Sequence, residues 1–233
     1  MVLTKYEVFS DKVSRDYTFV MLSDLHNRDF TEAVRITRDQ SPDMIFVVGD
    51  LVDRHKKTYD KALPFLRECV SVAETFFSYG NHEVKFPAIT GEQILLTGAR
   101  LLDNSYCLTG ANGELAVGGQ TPKSDTAWLD GFERENSDRF RILIDHHPEH
   151  YKKIFKDSHA KSLELILSGH AHGGQIRILG HSIFSPGQGL FPKYTKGFFD
   201  GVLIVGAGLA NTGGIVPRWG NPTEVVRIDL KKK

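Results

Sequence analysis

Cysteine is scarce in this 233-residue chain, with Cys69 and Cys107 the only two. Two thiols do not make the dense disulfide framework of small secreted domains, and they read as reduced cysteines in a cytosolic protein. An excess of one charge sign is also missing. Lysine plus arginine total 29 and aspartate plus glutamate total 29, so the formal net charge is zero. No global field gathers polyanions, which argues against long nucleic acid as a partner. Long apolar runs are absent as well. Met44 to Val48 and Leu163 to Leu167 are typical, and a membrane span needs roughly 18–20 residues. The amino-terminal MVLTKYEVFSDK carries no apolar signal core. The expected setting is therefore cytoplasmic, free or peripheral to the membrane. Zero net charge neither requires nor excludes a dimer.

What is present is an ordinary globular composition, 40% hydrophobic and 25% charged. A chain of this length buries roughly 70–75% of its unfolded surface, so one domain over residues 1–233 is expected. Short apolar runs recur, each stopping at polar residues. Tyr17 to Leu22 stops at Ser23-Asp24, Met44 to Val48 at Gly49-Asp50, and Thr75 to Tyr79 at Gly80-Asn81-His82. Arg141 to Ile144 stops at Asp145-His146, Leu163 to Leu167 at Ser168-Gly169-His170, and Val202 to Val205 at Gly206. Runs of this length bounded by turn residues are buried strands. Between the first three lie helical patterns over Thr31–Gln40, Thr58–Val72 and Thr90–Gly98. The alternation predicts an α/β domain with a partly parallel sheet. In the second half, Asn112-Gly113 between β-prone runs predicts a hairpin. Gln175–Leu179 and Val225–Leu230 alternate like strands, and Thr126–Phe132 and His150–Lys156 read as helices. Arg134–Arg139 reads as a solvated loop, and the second half as a further sheet added to the first.

The residues at the strand ends are the chemistry-bearing ones: Asp24 with His26, Asp50 with Asp53, Asn81 with His82, His146, and His170 with His172. In open α/β sheets ligands bind beyond the carboxyl ends of the strands, where these side chains converge if the strands share a sheet. Asp24 and His26 are two apart and face one side if the segment is extended; His170 and His172 repeat the spacing. Carboxylates, imidazoles and an amide suit divalent metals, and the set exceeds what one tetrahedral ion needs. Two ions a few ångströms apart are a device for in-line displacement at phosphorus. Singly, Asp24 is an ordinary turn residue and His26 a buried histidine; only the set carries weight. Gly206-Ala207-Gly208 is no dinucleotide fingerprint, because Asn211 stands where the third glycine belongs.

Ser-Asp-Leu-His, Gly-Asp-Leu-Val-Asp, Gly-Asn-His-Glu, a histidine after an apolar strand, and Gly-His-Ala-His follow one another in order up to residue 172. In this the chain resembles the calcineurin-like metallophosphoesterases. Gly-Gly-Gln-Ile-Arg after His172, Tyr194 to Gly197, and Gly206 to Leu209 with Pro217-Arg218 resemble the small bacterial branch related to UDP-2,3-diacylglucosamine pyrophosphatases. The resemblance implies a four-layer sandwich: two face-to-face mixed β-sheets flanked by helices. It implies two divalent ions drawn from manganese, iron, zinc, nickel or cobalt. Asp24, His26, Asp50 and His172 would hold the first, and Asp50, Asn81, His146 and His170 the second, with Asp50 bridging. His146 is preferred to His147 because the family shows histidine, any residue, proline. His82 would lie beside the substrate as hydrogen-bond donor or acid, and Asp53 would orient a liganding histidine.

The implied reaction is hydrolysis of a phosphodiester or pyrophosphate in a small nucleotide-linked or lipid-linked molecule by a metal-bridging hydroxide. The alternatives are a phosphomonoesterase, or a non-catalytic metal-binding scaffold on the same fold. Arg28, where relatives carry a small or apolar residue, is a candidate phosphate contact. The segment Val117–Lys123 departs from the acidic version of the relatives, which weakens any transfer of substrate specificity.

Overall fold

The computed structural model describes residues 1–152, 162–178, 181–185, 188–210 and 218–233. The first half runs β1 (Val2–Ser10), β2 (Tyr17–Leu22), α1 (Thr31–Asp39), β3 (Met44–Val48), α2 (Ala62–Val72), β4 (Glu74–Ser78), α3 (Asn81–Lys85), α4 (Gly91–Leu95) and β5 (Arg100–Leu101). The second half continues with β6 (Ser105–Thr109), β7 (Leu115–Gln120), α5 (Trp128–Glu135), β8 (Phe140–Asp145) and β9 (Leu165–Ser168). Then follow β10 (Ile176–Ile178), β11 (His181–Ser185), β12 (Gly189–Leu190), β13 (Gly197–Phe199), β14 (Leu203–Val205) and β15 (Glu224–Lys232).

Two six-stranded sheets result, ordered β1-β15-β2-β3-β4-β5 and β13-β14-β9-β8-β7-β6, beside a small sheet β10-β11-β12. Both large sheets are mixed. β2, β3, β4 and β5 run parallel while β15 meets β2 antiparallel. In the other, β14, β9, β8 and β7 are parallel, with β13 and β6 antiparallel at its two edges.

Side-chain alternation builds the layers. Phe19, Met21, Phe46, Val48 and Phe76 from the first sheet pack with Val117, Ile142, Ile144, Leu167 and Ile204 from the second in one buried cluster. The residues between them face outward. Val20, Leu22, Ile45, Val47 and Phe77 meet Ala33 and Val34 of α1, Phe65 and Leu66 of α2, and Ile94 of α4. Ala116, Leu143, Ile166 and Leu203 meet Leu129 and Phe132 of α5. Buried on both faces, the central strands must be apolar throughout, which is why they read as continuous runs. The architecture is the expected four-layer α/β sandwich.

Boundaries differ from expectation for local reasons. α2 starts at Ala62 instead of Thr58, because Thr58 exchanges backbone hydrogen bonds with Asp53 at 2.9 and 3.1 Å. α4 starts at a capping box, Thr90 with Gln93, and its chain turns away at Gly98 with φ +91°. The β6–β7 hairpin forms, but through a short 3-10 turn over Ala111–Gly113 in which Asn112 and Gly113 supply positive φ. α5 extends to Glu135, taking in part of the segment expected as loop. Most of the helix expected at His150–Lys156, and Leu179 of the expected Gln175–Leu179 strand, lie outside the described residues. No helix among the described residues is long and apolar enough to cross a membrane.

Candidate metal centre

The carboxyl ends of β2, β3, β4, β8 and β9 point to one place, and the loops there are stitched together. The Asp24 N–H donates to Gly49 O at 3.1 Å and the His26 N–H to Asp50 O at 3.0 Å, joining the loops after β2 and β3. The Leu209 N–H donates to Ser23 O at 2.9 Å and the Ala210 N–H to Asp24 O at 3.1 Å, so the loop after β14 closes onto the first sheet. Gly49 (φ +70°) makes the close approach possible. A Cβ there would lie 2.5 Å from Gly80 N and 2.9 Å from His146 Nδ1.

The sequence-predicted donors are brought together. Asp24, His26 and His172 each present an atom within 4.8 Å of the others, and Asp50, His146 and His170 do likewise. His26, Asp50 and His82 form a third such group. His172 Nε2 is 3.5 Å and His26 Nε2 3.8 Å from Asp24 Oδ1. His146 Nε2 is 3.1 Å from Asp50 Oδ2 and 3.9 Å from Asp24 Oδ1. All but His170 are buried.

One expectation about the backbone is overturned. Asp24 and His26 do not reach the same side from an extended segment. Their φ angles are +56° and +47°, and those of His170 and His172 are +62° and +48°; Asp50 is at +56°. Five donors thus sit in the left-handed region, which asparagine, aspartate and histidine enter more readily than other non-glycine residues. Left-handed turns at each strand end, not strand alternation, aim these side chains.

Electrostatics follow from burial of two carboxylates among imidazoles. Burial pushes the Asp24 carboxyl up to about 6, with Asp50 adding to the effect and His146 opposing it. Burial also works against ionisation of Asp50, yet His146, His26 and His82 hold it well below the carboxylate range. Burial disfavours a proton on His146, but Asp50 and Asp24 outweigh it and raise the ring to about 10. Burial lowers His26 to about 4 and, with His146 beside it, His170 to about 3. Negative charge in this dry shell calls for a cation, and a bound metal would displace the proton from His146.

The donor set fits divalent metal ions on a further observation. Asn81 Oδ1 is buried and has no hydrogen-bond partner among the described residues. Asn81 shares a cavity wall with His170, and an orphaned buried acceptor beside such donors is what a metal-bound amide looks like without its ion. His146 Nδ1 lies 2.8 Å from the Val48 carbonyl, a contact that orients the ring with Nε2 toward the cluster.

His82 stands at the edge of this group. Its Nδ1 lies 3.1 Å from the Val52 carbonyl, 3.2 Å from the Arg54 N–H and 3.2 Å from His26 Nδ1, while Nε2 is 3.9 Å from Asp50 Oδ2. Its backbone N–H donates to Asp50 Oδ1 at 2.7 Å.

Asp53 acts on His26 through its charge, which favours a proton on that ring, while its hydrogen bonds go elsewhere. Its Oδ1 accepts from the N–H groups of His55 and Lys56, holding its own turn, and its Oδ2 has no hydrogen-bond partner among the described residues. It makes no hydrogen bond to a site histidine. Arg28 is half-buried, and it is not in the wall of the cavity beside the donors.

Two residues that organise the site had no role assigned from the sequence. Glu83, fully buried, accepts four backbone hydrogen bonds, from Asp50 at 2.9 Å, Leu51 at 2.7 Å, Val52 at 3.0 Å and Gly80 at 2.8 Å. It ties the loop after β3 to the loop after β4 and so fixes both Asp50 and Asn81. Burial and the Asp50 charge raise its carboxyl to about 7 against the pull of those donors. Its place in Gly-Asn-His-Glu was the available signal. Arg218 donates to carbonyls of His172 at 3.1 Å, Ala210 at 3.2 Å, Gly208 at 3.5 Å and Ala207, joining the His172 loop to the loop after β14. His147 and His150 also come to the site. The His147 ring centroid is 4.3 Å from that of His170, and both histidines line the adjoining cavity.

A buried shell of carboxylates and imidazoles at the strand ends of a double mixed sheet defines a metallohydrolase type of centre. The calcineurin-like phosphoesterase family model matches residues 17–174, and the chain belongs to that family. It is 30% identical to the uncharacterized metallophosphoesterase Cj0846 of Campylobacter jejuni, with 95% of this chain and 61% of that protein covered. An uncharacterized metallophosphoesterase of Helicobacter pylori is 29% identical over 72% of this chain and 48% of its own length. The phosphodiesterase YaeI of Escherichia coli is 26% identical over 70% of this chain and 63% of its own length. The chain thus spans about half to two thirds of the length of these relatives.

Proposed function

We propose that the chain is a dinuclear metal-dependent phosphoester hydrolase acting on a phosphodiester or pyrophosphate bond of a small molecule. One observation carries the reading: two donor groups, Asp24–His26–His172 and Asp50–His146–His170, buried except for His170, lie side by side with Asp50 within reach of His26 as well. In this reading Asp24, His26, Asp50 and His172 hold one ion, and Asp50, Asn81, His146 and His170 the other. Manganese, iron, zinc, nickel and cobalt all accept this mixture of nitrogen and oxygen. When bound, such ions acidify water and neutralise phosphoryl charge.

The protein's own residues do the rest. Glu83 and the left-handed turns hold the donors in place before substrate arrives, which is the preorganisation that electrostatic catalysis needs. His82, whose Nδ1 is engaged by the loop of residues 52–54, carries a proton or hydrogen bond toward the leaving oxygen. The similarity to a protein named a phosphodiesterase supports the diester preference.

The test is hydrolysis of bis-p-nitrophenyl phosphate beside p-nitrophenyl phosphate, on protein loaded separately with each metal, with Asp50→Asn as the blank. Metal-dependent turnover of the diester well above the monoester is the expected result. A reversed preference makes the protein a phosphomonoesterase. No turnover of either ester with two ions bound leaves a narrow natural substrate or a metal-binding scaffold.

A further inference from the structure

A cavity of about 530 Å³ adjoins the donor cluster, with Asn81 and His170 in its lining. Three cations share that lining: Arg54, Lys85 and Lys123. They come from separate segments. Arg54 follows Asp53 in the turn after β3. Lys85 stands one helical turn beyond Asn81 on α3, so the two share a face. Lys123 sits in the loop after β7, held in a left-handed conformation at φ +68°.

None of the three has an ion-pair partner among the described residues. Some cations elsewhere are paired, Arg141 with Glu164, Lys196 with Glu224 and Arg227 with Asp229. Arg54 Nε is moreover buried without any hydrogen-bond partner. Burial and then the charges of Arg54 and Lys123 lower the Lys85 ammonium from its ordinary value, with Asp50 opposing them. The single carboxylate in the lining is Glu149, whose proton affinity burial raises. Val84 and Pro122 are the apolar residues of the lining among the described residues.

Lys85 and Lys123 are exposed and Arg54 is half-buried, so the three form a cationic rim that an anion entering the cavity meets. Arginine forks and lysine point charges together suit phosphate. We propose that this cavity binds a second phosphate of the substrate, beyond the one held at the donor cluster, with Arg54, Lys85 and Lys123 as its partners. The substrate class narrows to small phosphoesters that carry a further phosphate. This rests on the phosphoesterase reading for the position of the first phosphate.

The test is calorimetric binding of thymidine 3′,5′-bisphosphate and of thymidine 5′-monophosphate to the manganese-loaded protein at low salt. Lys85→Gln/Lys123→Asn is the comparison, the asparagine being chosen because it tolerates the left-handed backbone. The expected result is a preference for the bisphosphate of ~10-fold or more, shrinking with added salt and falling to ~3-fold or less in the double variant. Equal affinities for the two ligands, or a preference the double variant keeps, overturn the subsite. Bis-p-nitrophenyl phosphate hydrolysis is measured on the same samples. Turnover without the bisphosphate preference sinks the subsite alone; the preference without turnover counts against the hydrolase reading and leaves the subsite standing.

Discussion

Glu83→Gln should loosen the candidate centre while leaving its donors in the sequence. The wild-type carboxylate accepts from four buried N–H groups, two on each oxygen: Leu51 and Val52 on Oε1, Asp50 and Gly80 on Oε2. A glutamine keeps one oxygen, so one pair retains a neutral acceptor and the other faces an NH₂ that also donates. Losing two charge-assisted bonds costs about 3–6 kcal/mol, and weakening the other two about 2 more. Burial and the Asp50 charge already disfavour the ionised carboxylate, and removing that charge returns about half the loss. The net expectation is about 2–4 kcal/mol. Domains are commonly stable by about 5–15 kcal/mol, so the variant should still fold. Urea unfolding followed by circular dichroism should show a midpoint lower by ~1 M, taking m near ~3 kcal/mol/M. Metal content should also fall, because the N–H groups released belong to Asp50 and its neighbours. A midpoint within ~0.3 M of wild type, with full metal content, would refute the claim that Glu83 joins the two loops.

Asp50→Asn should lower both metal occupancy and turnover, since it removes the carboxylate proposed to bridge the two ions; full activity with two ions bound would sink that assignment. His82→Ala should keep the metals, measured by plasma mass spectrometry, and lose rate by ~10²-fold or more. Collapse of metal content instead would make His82 a ligand, as its distance to His26 and Asp50 permits. Arg218→Met should strip donors from carbonyls of residues 172, 207, 208 and 210. A loss of about 2 kcal/mol corresponds to ~4–8 °C in Tm for a chain of this size, and an unchanged melting curve would show those carbonyls to be satisfied otherwise.

The central strands were legible because burial on both faces demands unbroken apolar runs, and β2, β3, β4 and β8 have them. β1 was not. Its VLTKYEVFS alternates with charged residues, and its parallel partner β15 lies at the other end of the chain, so no local pattern announces the pair. Of the small sheet, β10 falls within the strand read at Gln175–Leu179, whereas β11 and β12, five and two residues long, are too short for periodicity to register. α5 ran past its expected end because Arg134 and Glu135 carry its solvent face, and a charged stretch cannot be told from a loop without its neighbours.

The site shows a subtler limit. Asp-x-His places two side chains on one side if the segment is extended, and both do arrive at one cluster. The backbone that delivers them is left-handed at Asp24 and His26, and at His170 and His172. Each such residue costs of order 1–2 kcal/mol relative to ordinary backbone, so the arrangement persists only where neighbours over-determine it. The neighbours here are identifiable: the Gly49 and Asp50 carbonyls accept from Asp24 and His26, Glu83 gathers the N–H groups of residues 50–52, and Arg218 and Asn221 hold the His172 carbonyl. None of these is adjacent in sequence to the donor it supports. The residue types of a metal centre can therefore be read along the chain, because coordination chemistry restricts them to a few. The strain that aims those residues, and the three cations beside them, are set by contacts between segments and become visible only when the segments meet.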